Sequence, residues 1–193
     1  MHTSEIDKFV DLLRQGNRQE AKEGLLACVS AGLLDAHYYL ASAASEDGDL
    51  SNAQLHLSLL EQSAWTTSNA RLHSLASIAY RMMLGLPSRE CSDYLSLAHL
   101  VRAAELGAPD AQSSLAHFYR RGTNGAKKDI SQFEYWIEKA VAHEQPIEAA
   151  VLEYVEHLVA QKKKVPQRSI EYLRSIAADD QAIQRLLAKA SAA

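Results

Sequence analysis

Apolar residues recur along this chain at spacings of three and four, in blocks separated by short polar or glycine-bearing breaks. That period belongs to amphipathic helices rather than strands. Ser4 with Asp7 is expected to open a first helix as a capping pair, and Gly16-Asn17 to end it. Helical patterns then follow near residues 18–31, 35–47, 50–64, 69–84, 92–106, 109–121, 130–143, 147–161, 167–178 and 180–190. Pro109 and Pro146 stand at helix starts, where a missing N–H costs little. Asp47-Gly48-Asp49, Gly85-Leu86-Pro87-Ser88 and Gly122-Thr123-Asn124-Gly125 read as turns. No low-complexity linker interrupts the series, so one continuous helical domain over residues 1–193 is expected.

The pattern also repeats. The string D-A-x-x-x-L-A occurs at Asp35–Ala41 and again at Asp110–Ala116, 75 residues later, or two periods of 37 or 38. Between them, Ala70 and Leu75-Ala76 give a looser copy, and Ala150, Tyr154 and Val155 give a fourth. A second set recurs in step. Ala21, Gly24, Ala27, Cys28, Val29, Gly32 and Ala36 have the same offsets as Ser96, His99, Arg102, Ala103, Ala104, Gly107 and Ala111. Phe133, Trp136, Lys139, Ala140 and Val141 match the first five. Small residues at fixed spacing let paired helix backbones approach closely, and a glycine after the last turn supplies a left-handed cap.

Composition narrows the class. There are 31 Ala and 26 Leu among 193 residues, against only 16 Val and Ile together, 8 Gly and 4 Pro. A mainly β fold needs more β-branched residues and turn glycines, and is excluded. The formal charge of −4 lacks the basic footprint of a general nucleic-acid binder. Met1–Lys8 has no basic segment ahead of an apolar core, as a secretory signal would. The longest nearly apolar stretch, residues 24–34, is about half a membrane span. Two distant cysteines, Cys28 and Cys91, fit buried thiols in a reducing compartment, so a cytoplasmic location is expected.

The segment Ala111–Val141 carries Leu115-Ala116, Tyr119, Gly122, Gly125-Ala126-Lys127-Lys128-Asp129, Phe133, Trp136 and Lys139-Ala140-Val141. It resembles the Sel-one-like repeat, a short-helix relative of the tetratricopeptide repeat. That family's pattern runs A-x-x-x-L-G-x-x-Y, then G-V-x-x-D, then A-x-x-W-x-x-K-A-A. Here Ala116 stands for the usual Gly, Phe133 for Ala and Glu144 for Gly; around Ala53–Ala70, Leu55, Ser58 and Gln62 are placed in the second-helix slots. The resemblance covers roughly residues 18–160, with helical caps at both ends. It implies an all-α fold, a right-handed α-solenoid of stacked antiparallel helix pairs.

No H-E-x-x-H, G-x-S-x-G, G-x-G-x-x-G or G-x-x-x-x-G-K-[ST] string occurs, so no catalytic, metal or cofactor residue is assigned. Glu153 and His157, four apart on one helix, are a possible ligand pair but read better as a surface ion pair. His99, in the slot of Trp136, reads as packed between helices, and Cys28 as a small core residue. Cys91 precedes a helix whose dipole could lower its pKa. Trp136, Phe118 and Tyr119 are core candidates, whereas Trp65 matches no slot and is a candidate exposed contact. Lys162–Lys164 reads as a solvated loop.

Helix-pair arrays work as extended surfaces for peptides or folded proteins. First-helix positions not needed for packing are the contact candidates: Tyr38 and Tyr39 with Ser42, Ser74 and Ser77 with Arg81, His117 with Arg120 and Arg121, and Glu153, Glu156 and His157. Of these, Tyr38, Tyr39, Arg81, His117, Arg120 and Arg121 are the expected partner-binding set, against an acidic patch. The function expected is non-enzymatic protein binding. The resemblance points to a bacterial adaptor, or an immunity protein that neutralises a toxin or effector, with no nucleic acid, membrane or small-molecule substrate. A self-assembling scaffold is the alternative, ahead of an enzyme whose residues converge from separate helices.

Overall fold

The computed structural model describes residues 3–82, 89–177 and 180–192. The Ser4 cap, the Gly85–Ser88 turn and the Cys91 thiol lie outside the described residues and side chains. Eleven helices occupy the described residues, which hold no strand. They are α1 (Thr3–Arg14), α2 (Arg18–Ser30), α3 (Ala36–Glu46), α4 (Leu50–Thr67), α5 (Ala70–Arg81), α6 (Arg89–Glu105), α7 (Pro109–Arg121), α8 (Ile130–Val141), α9 (Glu148–Ala160), α10 (Gln167–Ile176) and α11 (Gln181–Ala192).

The chain divides into two compact units. The first is Met1–Ala108 with Thr123–Ala126, and the second is Pro109–Gly122 with Lys127–Ala193. In the first, each helix from α1 to α6 packs on the next. Helix α3 also touches both α1 and α5, which makes the odd-numbered helices the inner layer of that unit. In the second, α7 packs on α8, α8 on α9, and α9 on both α10 and α11.

Four odd-numbered helices bury the same positions. Counting from Ala36 in α3, offsets 0, 1, 4, 5, 7 and 8 are Ala36, His37, Leu40, Ala41, Ala43 and Ala44, all buried. The same offsets give Leu72, His73, Ala76, Ser77, Ala79 and Tyr80 in α5, and Ala150, Val151, Tyr154, Val155, His157 and Leu158 in α9. In α7 the first five are Ala111, Gln112, Leu115, Ala116 and Phe118, and the sixth, Tyr119, is half-buried. Alternating spacings of one, three and two cover an arc wide enough to face a helix on each side. The copy in α5 thus falls one residue later than its Leu75-Ala76 letters suggest. Ser77 can take the buried slot because its hydroxyl meets that of Ser96 at 3.1 Å.

Two even-numbered helices share buried offsets 0, 4 and 7: Ala21, Leu25 and Cys28 in α2, and Phe133, Ile137 and Ala140 in α8, which also buries Trp136. In α4 the stripe is Ala53, Leu57 and Leu60, so Leu55, expected in a packing slot, points outward. Close approach is visible at Gly24, where an added Cβ would lie 2.0 Å from the ring of Phe9. Gly32 and Gly107 end α2 and α6 in the left-handed region (φ 86° and 89°). The amides that follow, of Leu33 and Ala108, then reach back to the Cys28 and Ala103 carbonyls at 2.9 and 3.1 Å.

Trp136 is 7% exposed and Trp65 is 49% exposed. Trp136→Ala is therefore expected to cost about 3–5 kcal/mol, as a buried aromatic does, and Trp65→Ala clearly less. Urea denaturation of the two variants measures the difference, and equal losses would contradict this packing.

Candidate functional site

The site with the most distinctive chemistry lies in the first unit, where α4, α5 and α6 meet. Helix α4 runs three residues past its expected end. The Thr66 and Thr67 hydroxyls donate to the carbonyls of Gln62 (2.9 Å) and Ser63 (2.7 Å), and Ser68 closes the helix at φ 49°. Trp65 is thereby held on the last turn. Asn69 then caps α5, accepting from the amides of Arg71 (2.9 Å) and Leu72 (3.3 Å). This cap starts α5 in the register that turns His73 inward.

His73 and His99 are both buried, with their Nδ1 atoms 2.9 Å apart. His99 Nε2 lies 3.6 Å from a Glu61 oxygen, and the Tyr80 hydroxyl donates to the other oxygen of that carboxylate. The Tyr80 ring stacks on His99 at 5.6 Å. Trp65 covers both imidazoles, edge-on to His73 at 4.7 Å and tilted over His99 at 5.3 Å. Burial, reinforced by the charges of His99 and Arg102, pushes His73 down to about 4. Burial also lowers His99, with Glu61 opposing.

The pair belongs to a series. Offset 1 is polar in α3, α5 and α7, and each of these residues bonds to a histidine further along. His37 Nδ1 meets His56 Nδ1 in α4 at 3.1 Å, and Gln112 Oε1 meets His143 Nε2, just past α8, at 2.9 Å. Buried polar groups need such partners. Burial, aided by the charge of His56, takes His37 down to about 4 as well.

The outer side of Trp65 faces a groove of about 640 Å³, lined along α6 by Tyr94, Leu97, Ala98 and Val101 and ended by Arg102 and Glu105, which pair at 3.1 Å. Tyr94 is 72% exposed. A second groove, of about 330 Å³, lies over α2, α3 and α4 with Leu26, Leu40, Leu55 and His56 in its wall. Eight large apolar side chains are exposed among the described residues. Seven of them lie on even-numbered helices: Leu26, Leu50, Leu55, Trp65, Tyr94, Ile130 and Tyr135. Met82, just after α5, is the other. The expected exposure of Trp65 is thus found; Tyr94 and the groove were not anticipated.

The residues expected to bind a partner occupy varied settings. Tyr38 is half-buried against the Leu57–Tyr80 cluster and Tyr39 against the Leu25–Leu40 cluster, while Arg81 is exposed. In the second unit, Arg120 pairs with Glu153 at 3.0 Å and lies 5.2 Å over the Phe133 ring, and His117 stands 3.6 Å from the same carboxylate. Arg121 is exposed. Ser77 and His157 are buried, not surface contacts. Glu153 and His157 do not form an ion pair with each other: His157 bonds Glu134 at 2.8 Å and packs edge-on to Phe133. Hydrogen bonds from His157 and Lys163 hold the Glu134 carboxyl below its ordinary value. Cys28 is buried, which pushes its thiol up, as a core cysteine should be.

No group of three or more His, Cys, Asp or Glu among the described residues is placed to hold a metal ion. No described helix is long and apolar enough to cross a membrane. No family model matches the chain, and no curated protein matches it.

His37 and His73 sit below the 6.5 of a free imidazole when folded. Their contribution to stability is therefore complete above about pH 6.5 and is lost as pH falls towards 4. Urea unfolding at pH 7.5 and pH 5.0 is expected to show a loss on the order of 1 kcal/mol or more for each of the two imidazoles. A pH-independent midpoint over that range would contradict the burial of neutral rings.

Proposed function

We propose that this chain is a non-enzymatic protein-binding module, a solenoid of Sel-one-like helix pairs acting in the cytoplasm as an adaptor or as an immunity protein that masks a partner. The observation that carries the reading is the gathering of exposed apolar side chains on the even-numbered helices, culminating in the groove between Trp65 and Tyr94. Tryptophan and tyrosine are the residues most enriched among interface anchors, and a groove along one helix suits an inserted helix or loop.

The odd-numbered helices are the weaker candidates for the contact surface. Their arcs are largely consumed by packing, and Tyr39, His117 and Arg120 already have partners inside the chain. Arg81 and Arg121 remain exposed on that side. A helix-pair array also explains why buried offsets recur in α3, α5, α7 and α9 while the even-numbered helices vary on their outer faces.

The test starts from the partner that co-purifies with the chain. Tyr94→Ala is expected to weaken that complex at least tenfold, about 1.4 kcal/mol, in calorimetric titration, with stability unchanged because Tyr94 is largely in water. Undiminished affinity in Tyr94→Ala, together with a loss in Arg81→Glu or Arg121→Glu, would move the surface to the odd-numbered helices.

A further inference from the structure

We propose that the His73–His99 pair is a proton-operated latch beneath the α4–α6 groove: uptake of one proton lifts Trp65 off the imidazoles and reshapes the groove wall. The inference deepens the binding reading above, since the groove is the surface it would regulate, but its first test needs no partner.

Two neutral imidazoles carry two ring protons between four nitrogens. At 2.9 Å the two Nδ1 atoms hold one proton, because two facing N–H groups would collide. The other proton is on an Nε2. A Glu61 oxygen faces His99 Nε2 at 3.6 Å and the Ala64 carbonyl is an acceptor for His73, so each ring has an acceptor that suits an N–H and the pair has two tautomeric arrangements. In either arrangement one ring donates through Nδ1–H and its Nε2 is a bare lone pair. Both Nε2 atoms, of His73 and of His99, are buried without a well-formed hydrogen bond.

The next proton therefore goes to the bare Nε2 of the pair, beneath Trp65, which stands edge-on to His73 at 4.7 Å and tilted over His99 at 5.3 Å. Every element packed on the pair contributes a charged or polar group. Glu61 on α4 favours positive charge, Arg102 on α6 opposes it, and Tyr80 on α5 already donates to Glu61. The Ala64 carbonyl on α4 is the nearby backbone acceptor. A buried imidazolium in this setting is costly unless water reaches it. Water can be admitted by moving Trp65, which is half in solvent and sits on the last turn of its helix. His73 near 4 in the closed form, against 6.5 for a free ring, gives the latch a shift of roughly 100-fold in its closed-to-open ratio between neutral pH and pH 4.

Slot comparison supplies a control. Gln112 occupies in α7 the offset that His73 occupies in α5, and it also bonds a histidine. His73→Gln should thus keep a polar bridge while breaking the imidazole pair that takes the proton.

Trp65 and Trp136 are the only tryptophans, so Trp136→Phe leaves Trp65 as the single indole reporter. Its emission, followed from pH 7.5 to 4.5, is expected to shift to the red with a midpoint between pH 4 and 6.5 while helical circular dichroism is retained. His73→Gln in the same background should abolish or displace that transition. If Trp136→Phe does not fold, the Trp65 indole N–H and His73 ring resonances of the wild-type chain give the same readout by NMR. A Trp65 signal that is flat over this range, a transition unchanged in His73→Gln, or one that coincides with loss of helix overturns the latch. Failure of Tyr94→Ala to weaken partner binding would instead count against the groove as the binding surface and leave the latch standing.

Discussion

Everything in this chain rests on the close approach of helix backbones that its small residues permit. Alanine fills offset 0 in α3, α7 and α9, and alanine or serine fills offset 5 in α3, α5 and α7. With so little side chain between them, neighbouring helices lie near enough for a glycine to meet an aromatic ring directly, as Gly24 meets Phe9. Close packing of this kind rewards many dispersion contacts at once and leaves little tolerance for added volume. It also decides which face each helix shows. Helices α3, α5, α7 and α9 are gripped over a wide arc and have little surface to spare. Helices α2 and α4 bury a narrow stripe and carry Leu26, Leu55 and Trp65 in water, while α6 buries Ser92, Ser96, His99, Leu100, Ala103 and Ala104 and still exposes Tyr94.

The same constraint explains the polar interior. Offset 1 faces the next helix at a distance that suits a bridging pair, and three successive odd-numbered helices place His37, His73 and Gln112 there. Each bond ties one helix to the segment that follows, adding direction to a core otherwise made of non-directional contacts. In α9 the position is Val151, and the polar links of the second unit shift outward instead, to Arg120–Glu153 and His157–Glu134. The second unit thus keeps one such bridge, Gln112–His143 in α7, and adds ion pairs around α9. A buried imidazole pair responds to protons between about pH 4 and 6.5 in a way that an ion pair between arginine and a carboxylate does not.

Much of the fold was legible in the residues. Helix positions followed from apolar periodicity, and Gly32 and Gly107 marked helix ends because only glycine enters the left-handed region cheaply. The register of α5 was not legible from the letters, because matching Leu75-Ala76 to Leu40-Ala41 ignores the Asn69 cap and the serine pair that lets Ser77 be buried. Leu55 misled for a related reason. An apolar residue at helical spacing reads as core until the neighbouring helix is placed, and Ala53 and Leu57 take that role instead. The candidate site was harder still. His73 and His99 are 26 residues apart on different helices, and no spacing rule joins them. The groove went unseen because Tyr94, Leu97, Ala98 and Val101 form a second stripe on α6 that periodicity alone assigns to an interior.

The central claim is that the working surface lies on the outer, even-numbered helices and is anchored at the Trp65–Tyr94 groove. Hydrogen–deuterium exchange of the chain, free and bound to its co-purified partner, addresses that claim directly. The account predicts slowed exchange in the last turn of α4 and along α6 from residue 94 to residue 105, with α7 and α9 unchanged. Protection confined to α7 and α9, with α4 and α6 exchanging as in the free chain, would contradict it.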